Sequence, residues 1–214
     1  MIDKFVRTVL PWPVDDEPGF INLHWRSRNE QGEYYWGGRP VRTVKDFLWW
    51  TKFAHGTPGI TDVYMCMSRQ AAAGTSRNNK PIPVRTKDGA TALRAVWLDV
   101  DVKADKGYPS LEAAVIAVDK FRRSTNLGAP SAIVGSGGGL HVYWAYSDNL
   151  TTADWQRRAN GLRALAYQHG LICDYGVTTD AARILRVPGT RNFKFDPPQY
   201  VRLLGLTDAV LEPR

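Results

Sequence analysis

The sequence predicts an α+β fold: a ferredoxin-like β-α-β-β-α-β unit over residues 95–214, joined to a mixed α/β lobe over residues 1–94, the two together making one domain. Three observations predict it. Apolar residues cluster or alternate in four extended segments between Ala95 and Val187; they recur at helical spacing in two further segments; and these six elements follow one another as strand, helix, strand, strand, helix, strand. At roughly 100–200 residues per domain, 214 residues make one large domain or two fused lobes with a core of ordinary size.

In the lobe, Phe20 to Arg28 and Glu33 to Trp36 are aromatic-rich runs on either side of Asn29-Glu30-Gln31-Gly32, the pattern of a β-hairpin. Thr43 with Asp46 three positions on marks a helix start; Phe47, Trp50 and Ala54 share its face and Gly56 stops it. Asp62 to Met67 reads as a buried strand. From Ser68 to Ala90 the composition turns to Gly, Asn, Pro and basic residues, among them Arg77, Lys80, Arg85 and Lys87. This stretch is either a solvated loop or a surface that follows a phosphate backbone.

The unit begins with a strand from Ala95 to Val102. Ser110 caps a helix whose apolar positions are Leu111, Ala114, Val115, Val118 and Phe121. Ser131 to Gly135 and Leu140 to Tyr146 are strands joined by the turn Ser136-Gly137-Gly138-Gly139, and a second helix runs from about Thr152 to Gly170. Arg183 to Val187 is the last strand. In this topology the first and third strands are central neighbours and the fourth flanks the first.

Composition narrows the function classes. With 28 Lys+Arg against 21 Asp+Glu the net charge is +7, and 43% of residues are apolar, which excludes a disordered chain and suits a polyanionic partner. No run of about 18 apolar residues and no signal-type start is present, so a soluble cytoplasmic protein without a membrane partner is expected. Cys66 and Cys173 are far apart and outside any C-x-x-C pair; both read as small core residues.

The chemistry-bearing residues lie in the unit. Asp99 and Asp101 are two apart on a strand, so their side chains share one face, about 6.5–7 Å apart. Two like charges on a central strand are costly without cations, and hard oxygen ligands suit Mg²⁺ or Mn²⁺. Acids at a strand end are also ordinary turn formers. His141 follows the glycine turn and shares a face with Tyr143; if that is the carboxylate face, it stands beside Asp99. Gly138 and Gly139 permit close approach of backbone N–H groups to phosphate. Asp174, or alternatively Asp180, adds a third carboxylate, followed by Arg183 and Arg186. Three acids, a histidine and two arginines on one sheet describe a two-metal nucleotidyl-transfer site with triphosphate clamps. Pairing of Arg183 or Arg186 with nearby acids is the structural alternative.

The three segments WLDVDV, GSGGGLHVYW and CDYGVTTDAARILRVPGTRNFK, in that order and spacing, resemble the motifs of the archaeo-eukaryotic primase superfamily, especially the primase-polymerases of phages and plasmids. The resemblance covers about Ala95 to Lys194. It implies a primase-like core of an RRM-like unit plus an N-terminal α/β lobe. It implies that Asp99, Asp101 and Asp174 bind two divalent metal ions, and that His141 with an arginine of the last segment meets the phosphates of an incoming nucleoside triphosphate. Gly139 stands where the family often has serine, so a hydroxyl contact is replaced by backbone N–H; Asp174 followed by Gly-Val one position on fits the family pattern better than Asp180. Zinc-binding residues of some members are missing, as is a downstream helicase part, which fits an excised catalytic domain whose partner would be a helicase domain or replisome protein in the host cytoplasm of a phage.

The resulting expectation is a nucleotidyltransferase, a DNA primase or DNA polymerase that synthesises or extends primers on single-stranded DNA, with Arg77, Lys80, Arg85 and Lys87 on the template backbone. Two rivals share the same elements. One is an RRM-like module that binds single-stranded nucleic acid, disfavoured because Asp99 and Asp101 occupy the face on which such modules stack bases. The other is a metal-dependent nuclease or nucleotidyl cyclase.

Overall fold

The computed structural model describes residues 1–103 and 105–212. A helix, α1 (Ile2–Val9), opens the chain and buries Phe5, Val6 and Val9. The sequence pattern did not reveal it, because two turns are too short for a periodic signal to stand out. The expected hairpin follows as β1 (Phe20–Arg28) and β2 (Tyr34–Val41), antiparallel from Ile21 opposite Val41 to Arg28 opposite Tyr34. Its turn is closed by Asn29, whose Oδ1 accepts the Glu33 N–H at 2.7 Å, and by Gly32 at φ +86°. Helix α2 (Val44–Gly56) starts where Thr43 Oγ1 accepts the Asp46 N–H at 3.1 Å.

Strand β3 (Ile60–Gln70) leads into the basic segment, which carries a small hairpin, β4 (Gly74–Thr75) with β5 (Pro81–Ile82). Buried Gln70 anchors its return: Oε1 accepts from Thr86 N at 3.0 Å and Nε2 donates to Thr86 O at 3.2 Å. Asn22 on β1 donates to the Val84 carbonyl at 2.6 Å. Two partners on the sheet thus fix this hairpin beside β2.

The unit then runs β6 (Ala90–Asp101), α3 (Leu111–Ser124), β7 (Ala132–Gly135), β8 (Gly139–Thr151), α4 (Thr152–Gln168), a short α5 (Tyr175–Thr178) and β9 (Ile184–Arg186). Ser110 Oγ caps α3 through the Ala113 N–H at 3.1 Å, as its position predicts. The small pair β10 (Arg191–Asn192) and β11 (Gln199–Tyr200) follows, and β12 (Arg202–Leu206) closes the chain's strands.

Eight strands form one sheet in the order β12-β7-β8-β6-β3-β1-β2, with β9 on β3. Strand β6 begins at Ala90, not Ala95, and the extra residues join the halves: Ala90, Ala92 and Leu93 pair with Gln70, Arg69 and Ser68 of β3. Beyond Leu93, β6 leaves β3 and pairs with β8 alone. Here one expectation needs correction, since β9 does not hydrogen-bond β6. It pairs with β3, Tyr64 opposite Arg186 and Cys66 opposite Ile184. The physical reason is the divergence of β6 from β3, which frees an edge of β3. Along β6 the contacts come instead from the α5 segment: the Asp174 N–H donates to Asp99 O at 2.8 Å and the Trp97 indole to Val177 O at 3.0 Å.

The core is tryptophan-rich. Trp97, Trp144 and Trp155 are fully buried, Trp97 stacks on Trp155 with centroids 5.1 Å apart, and each indole N–H reaches a backbone carbonyl. Such a core packs α4 and the α5 segment against β6, because a buried indole that keeps a hydrogen bond avoids the cost of an unpaired donor while burying a large apolar area.

Candidate active site

Antiparallel pairing of β6 with β8 sets Asp99 opposite His141 and Asp101 opposite Gly139. Directly opposed residues project to the same face, and Asp99 Oδ1 lies 3.7 Å from His141 Nε2. Tyr143 stands on that face too, its hydroxyl 3.4 Å from His141 Nδ1. The expected neighbourhood of the acid pair and the histidine is therefore present. Its electrostatics follow from burial. Desolvation, then the adjacent Asp101, pushes Asp99 up to about 6, with Arg183 opposing and Asp174 adding to the rise. Desolvation, reinforced by Arg186 and Arg183, pulls His141 down to about 3, so the ring is neutral at physiological pH. Asp101 is more exposed and pairs with Lys103 at 3.0 Å.

Asp99, Asp101, Lys103 and His141 line a cleft of ≈ 380 Å³ together with Arg85, Arg183, Arg186 and Lys194, while Tyr143 is buried beneath it. Gly138 and Ser136 line it from the glycine turn, Tyr64 and Trp36 from the N-terminal strands. The two arginines differ in state. Arg186 is buried and committed: Nε and one terminal nitrogen donate to Asp62 Oδ1 at 3.1 and 3.0 Å, and the same nitrogen reaches the Tyr64 hydroxyl at 3.2 Å. The ion-pair alternative is thus realised for Arg186. Among the described residues Arg183 makes no ion pair, and its Nε is buried without a hydrogen-bond partner. A guanidinium that lines the cleft without an ion pair is open to an anion there.

Not every candidate converges. Asp174 has its backbone on Asp99, yet its Oδ1 caps α5 by accepting from Gly176 N at 3.0 Å and Val177 N at 3.2 Å. Asp180 turns onto the Ala182 N–H at 3.1 Å. Neither lines the cleft, and among the described residues no three His, Cys, Asp or Glu side chains close on one point. Gly139 lies outside the cleft lining as well; a Cβ there would collide with the Val100 carbonyl, so this glycine serves the close pairing of β8 with β6. Arg77, Lys80 and Lys87 are exposed and outside the cleft, whereas Arg85 lines it and donates to Ala182 O at 3.4 Å. Both cysteines are free; burial, with Asp99 and Asp174 nearby, pushes the Cys173 thiol up to about 12.

Sequence reasoning missed Asp62, Tyr64, Trp36, Ser136 and Lys194. Lys194 lies in the last motif segment, at the end of the strand pair that Asn192 ties to the glycine turn through its bond to Ser136 O at 2.9 Å. Asp62 had a readable signal: an acid inside an otherwise apolar strand must be paired.

No family model matches the chain, and no curated protein matches it in sequence. Solved structures do. The archaeo-eukaryotic-type domain of the cyanophage S-2L primase-polymerase superposes with a TM-score of 0.57 at 14% identity, covering 90% of this chain and 85% of that one. Primase RepB′ superposes with a TM-score of 0.52 at 14% identity, covering 98% of this chain and 56% of the RepB′ chain. With an eight-stranded sheet, an acid pair on its central strand and these two superpositions, the chain has the fold of the archaeo-eukaryotic primase-polymerase catalytic domains.

Proposed function

We propose that this protein is a template-dependent nucleotidyltransferase that makes or extends primers on single-stranded DNA from nucleoside triphosphates. One observation carries the reading: Asp99 and Asp101 share a cleft with four cationic side chains from other parts of the fold, so a divalent cation and a polyphosphate can be held side by side. The donor chemistry fits Mg²⁺ or Mn²⁺. Asp99 is held up near 6 by burial and by Asp101, and a cation between the two carboxylates removes that repulsion. Asp174 is the third carboxylate within electrostatic reach, since it too raises Asp99. When bound, the ions would neutralise charge on the reacting phosphates and acidify the attacking 3′-hydroxyl.

The chain's own residues do the rest. Arg183 and Lys194 take phosphate oxygens of the incoming nucleotide, and Arg186, fixed by Asp62, presents its remaining donors at a set position. His141, neutral in the free protein, acts as a hydrogen-bonding group; the low-dielectric pocket strengthens each of these contacts. The test is incorporation of labelled nucleotides on a single-stranded template with Mg²⁺ or Mn²⁺, with and without a primer. Template-directed extension is expected. Template degradation or a cyclic nucleotide product would instead give the cleft to the nuclease or cyclase reading.

Two further outcomes are expected. Arg183→Ala raises the nucleotide KM about 10- to 100-fold, as expected when one charge-assisted hydrogen bond of roughly 1.5–3 kcal/mol is removed, with template affinity unchanged. Steady-state incorporation against nucleotide concentration, run beside a template titration, checks it. Neutralising Arg77, Lys80 and Lys87 together weakens single-strand binding and flattens its salt dependence by up to about 0.7 for each phosphate that is no longer neutralised. An unchanged slope would mean that the β4–β5 hairpin is a solvated surface only.

A further inference from the structure

The cleft continues as a stripe of aromatic and arginine side chains across one sheet face to the free edge. The register places them together: Arg186 opposes Tyr64, Tyr64 opposes His24, Arg26 opposes Trp36, and Arg28 opposes Tyr34. Arg186 lies over the Tyr64 ring at 5.2 Å, Tyr64 and Trp36 rings are 5.7 Å apart, and Arg26 and Arg28 sit 4.3 and 5.8 Å from the Tyr34 centroid. Inside the cleft the stripe is buried, but its outer members are open. Trp36 is 56% and Tyr34 52% exposed, on an edge strand where no apolar core demands large aromatic rings. Exposed rings beside fixed cations, in line with a cleft lined by Arg85, Arg183 and Lys194, have the composition of a surface that stacks unpaired bases while neutralising their backbone.

We infer that Trp36 and Tyr34 form a base-stacking platform for single-stranded DNA, the strand running from the edge of β2 over Tyr34 and Trp36 into the cleft. The occupant follows from charge and continuity. Arg26 and Arg28 lie on the platform, the basic β4–β5 hairpin packs beside β2, and Trp36 itself lines the cleft. Naming that strand the template rests on the function proposed above; the stacking does not.

Strand alternation supplies an internal control. Tyr35 is 55% exposed on the same edge strand but projects to the opposite face. Binding of a dye-labelled oligodeoxythymidylate, without nucleotides, is measured by anisotropy over a range of salt. Trp36→Ala is expected to weaken binding roughly tenfold with an unchanged salt slope, because a stack and not an ionic interaction is removed. Trp36→Phe keeps a stacking face and restores most of the affinity, which separates recognition from folding; Tyr35→Ala binds like the parent protein. Normal binding by Trp36→Ala, or an equal loss in Tyr35→Ala, overturns the inference. The two readings fail separately. A parent protein that incorporates nucleotides while Trp36→Ala binds normally leaves the enzyme and removes the platform. Trp36-dependent binding with no incorporation leaves the platform and removes the enzyme.

Discussion

Replacing Asp99 by alanine is expected to lower nucleotide incorporation by at least about a hundredfold, since even groups that merely orient metal ligands cost 10–100-fold when lost. The same site makes a second, independent prediction in the absence of metal. Asp99 is raised from its ordinary 3.8 to about 6 by burial and by Asp101, so the folded protein holds this proton more tightly than the unfolded chain does. The stabilisation is complete below the ordinary value and is lost as pH rises through about 6, at most roughly 3 kcal/mol over that interval. Asp99→Asn has no such proton. It should therefore be more stable than the parent at pH 8, with a flatter profile between pH 4 and 6, and Mn²⁺ should stabilise the parent at pH 8 far more than the variant. Urea melts at pH 8 and across the interval between pH 4 and 6, with and without Mn²⁺ at pH 8, decide the matter. Identical profiles would mean that Asp99 is not the group whose proton the fold holds.

The sequence exposed the parts of this site that depend on local periodicity. Alternation placed Asp99 and Asp101 on one face and His141 with Tyr143 on one face, and the β-α-β-β-α-β order made their strands neighbours, which the pairing of Asp99 with His141 bears out. Helix starts at Thr43 and Ser110 were legible because a hydroxyl cap is a one-residue signal. What escaped depends on contacts between distant segments. That β9 docks on β3 follows from the divergence of β6 beyond Leu93, and no pattern within residues 95–214 records the free edge of a strand from the other half. The engagement of Asp174 is similarly hidden: an acid two residues before a glycine reads equally as a ligand or as a helix cap. Strand β12 and helix α1 are too short or too mixed in polarity for a periodic signal.

Asp62→Ala should have the largest effect on stability. Its side chain is fully inaccessible and holds Arg186 through Oδ1 and Arg26 through Oδ2 at 2.8 Å, while Oδ1 also receives the Phe193 N–H at 3.4 Å. Removing it leaves two guanidinium groups near each other without their shared counter-charge, a change that typically costs about 3–5 kcal/mol. Because three strands and the β10 segment meet at this carboxylate, the loss also unfastens Arg186 from the position it holds in the cleft, and the nucleotide KM should rise along with the fall in stability. A second variant separates these effects. In Asp62→Leu combined with Arg186→Met, the buried charge pair becomes apolar, and such replacements are commonly neutral or stabilising. Most of the stability should then return, less what Arg26 loses, while the nucleotide KM stays high because the guanidinium is gone. Urea midpoints and nucleotide titrations of both variants test this. If Asp62→Ala melts within about 0.5 kcal/mol of the parent, Asp62 is not the anchor of the cleft; if the double variant recovers a normal KM, Arg186 holds the fold and leaves the phosphates to Arg183 and Lys194.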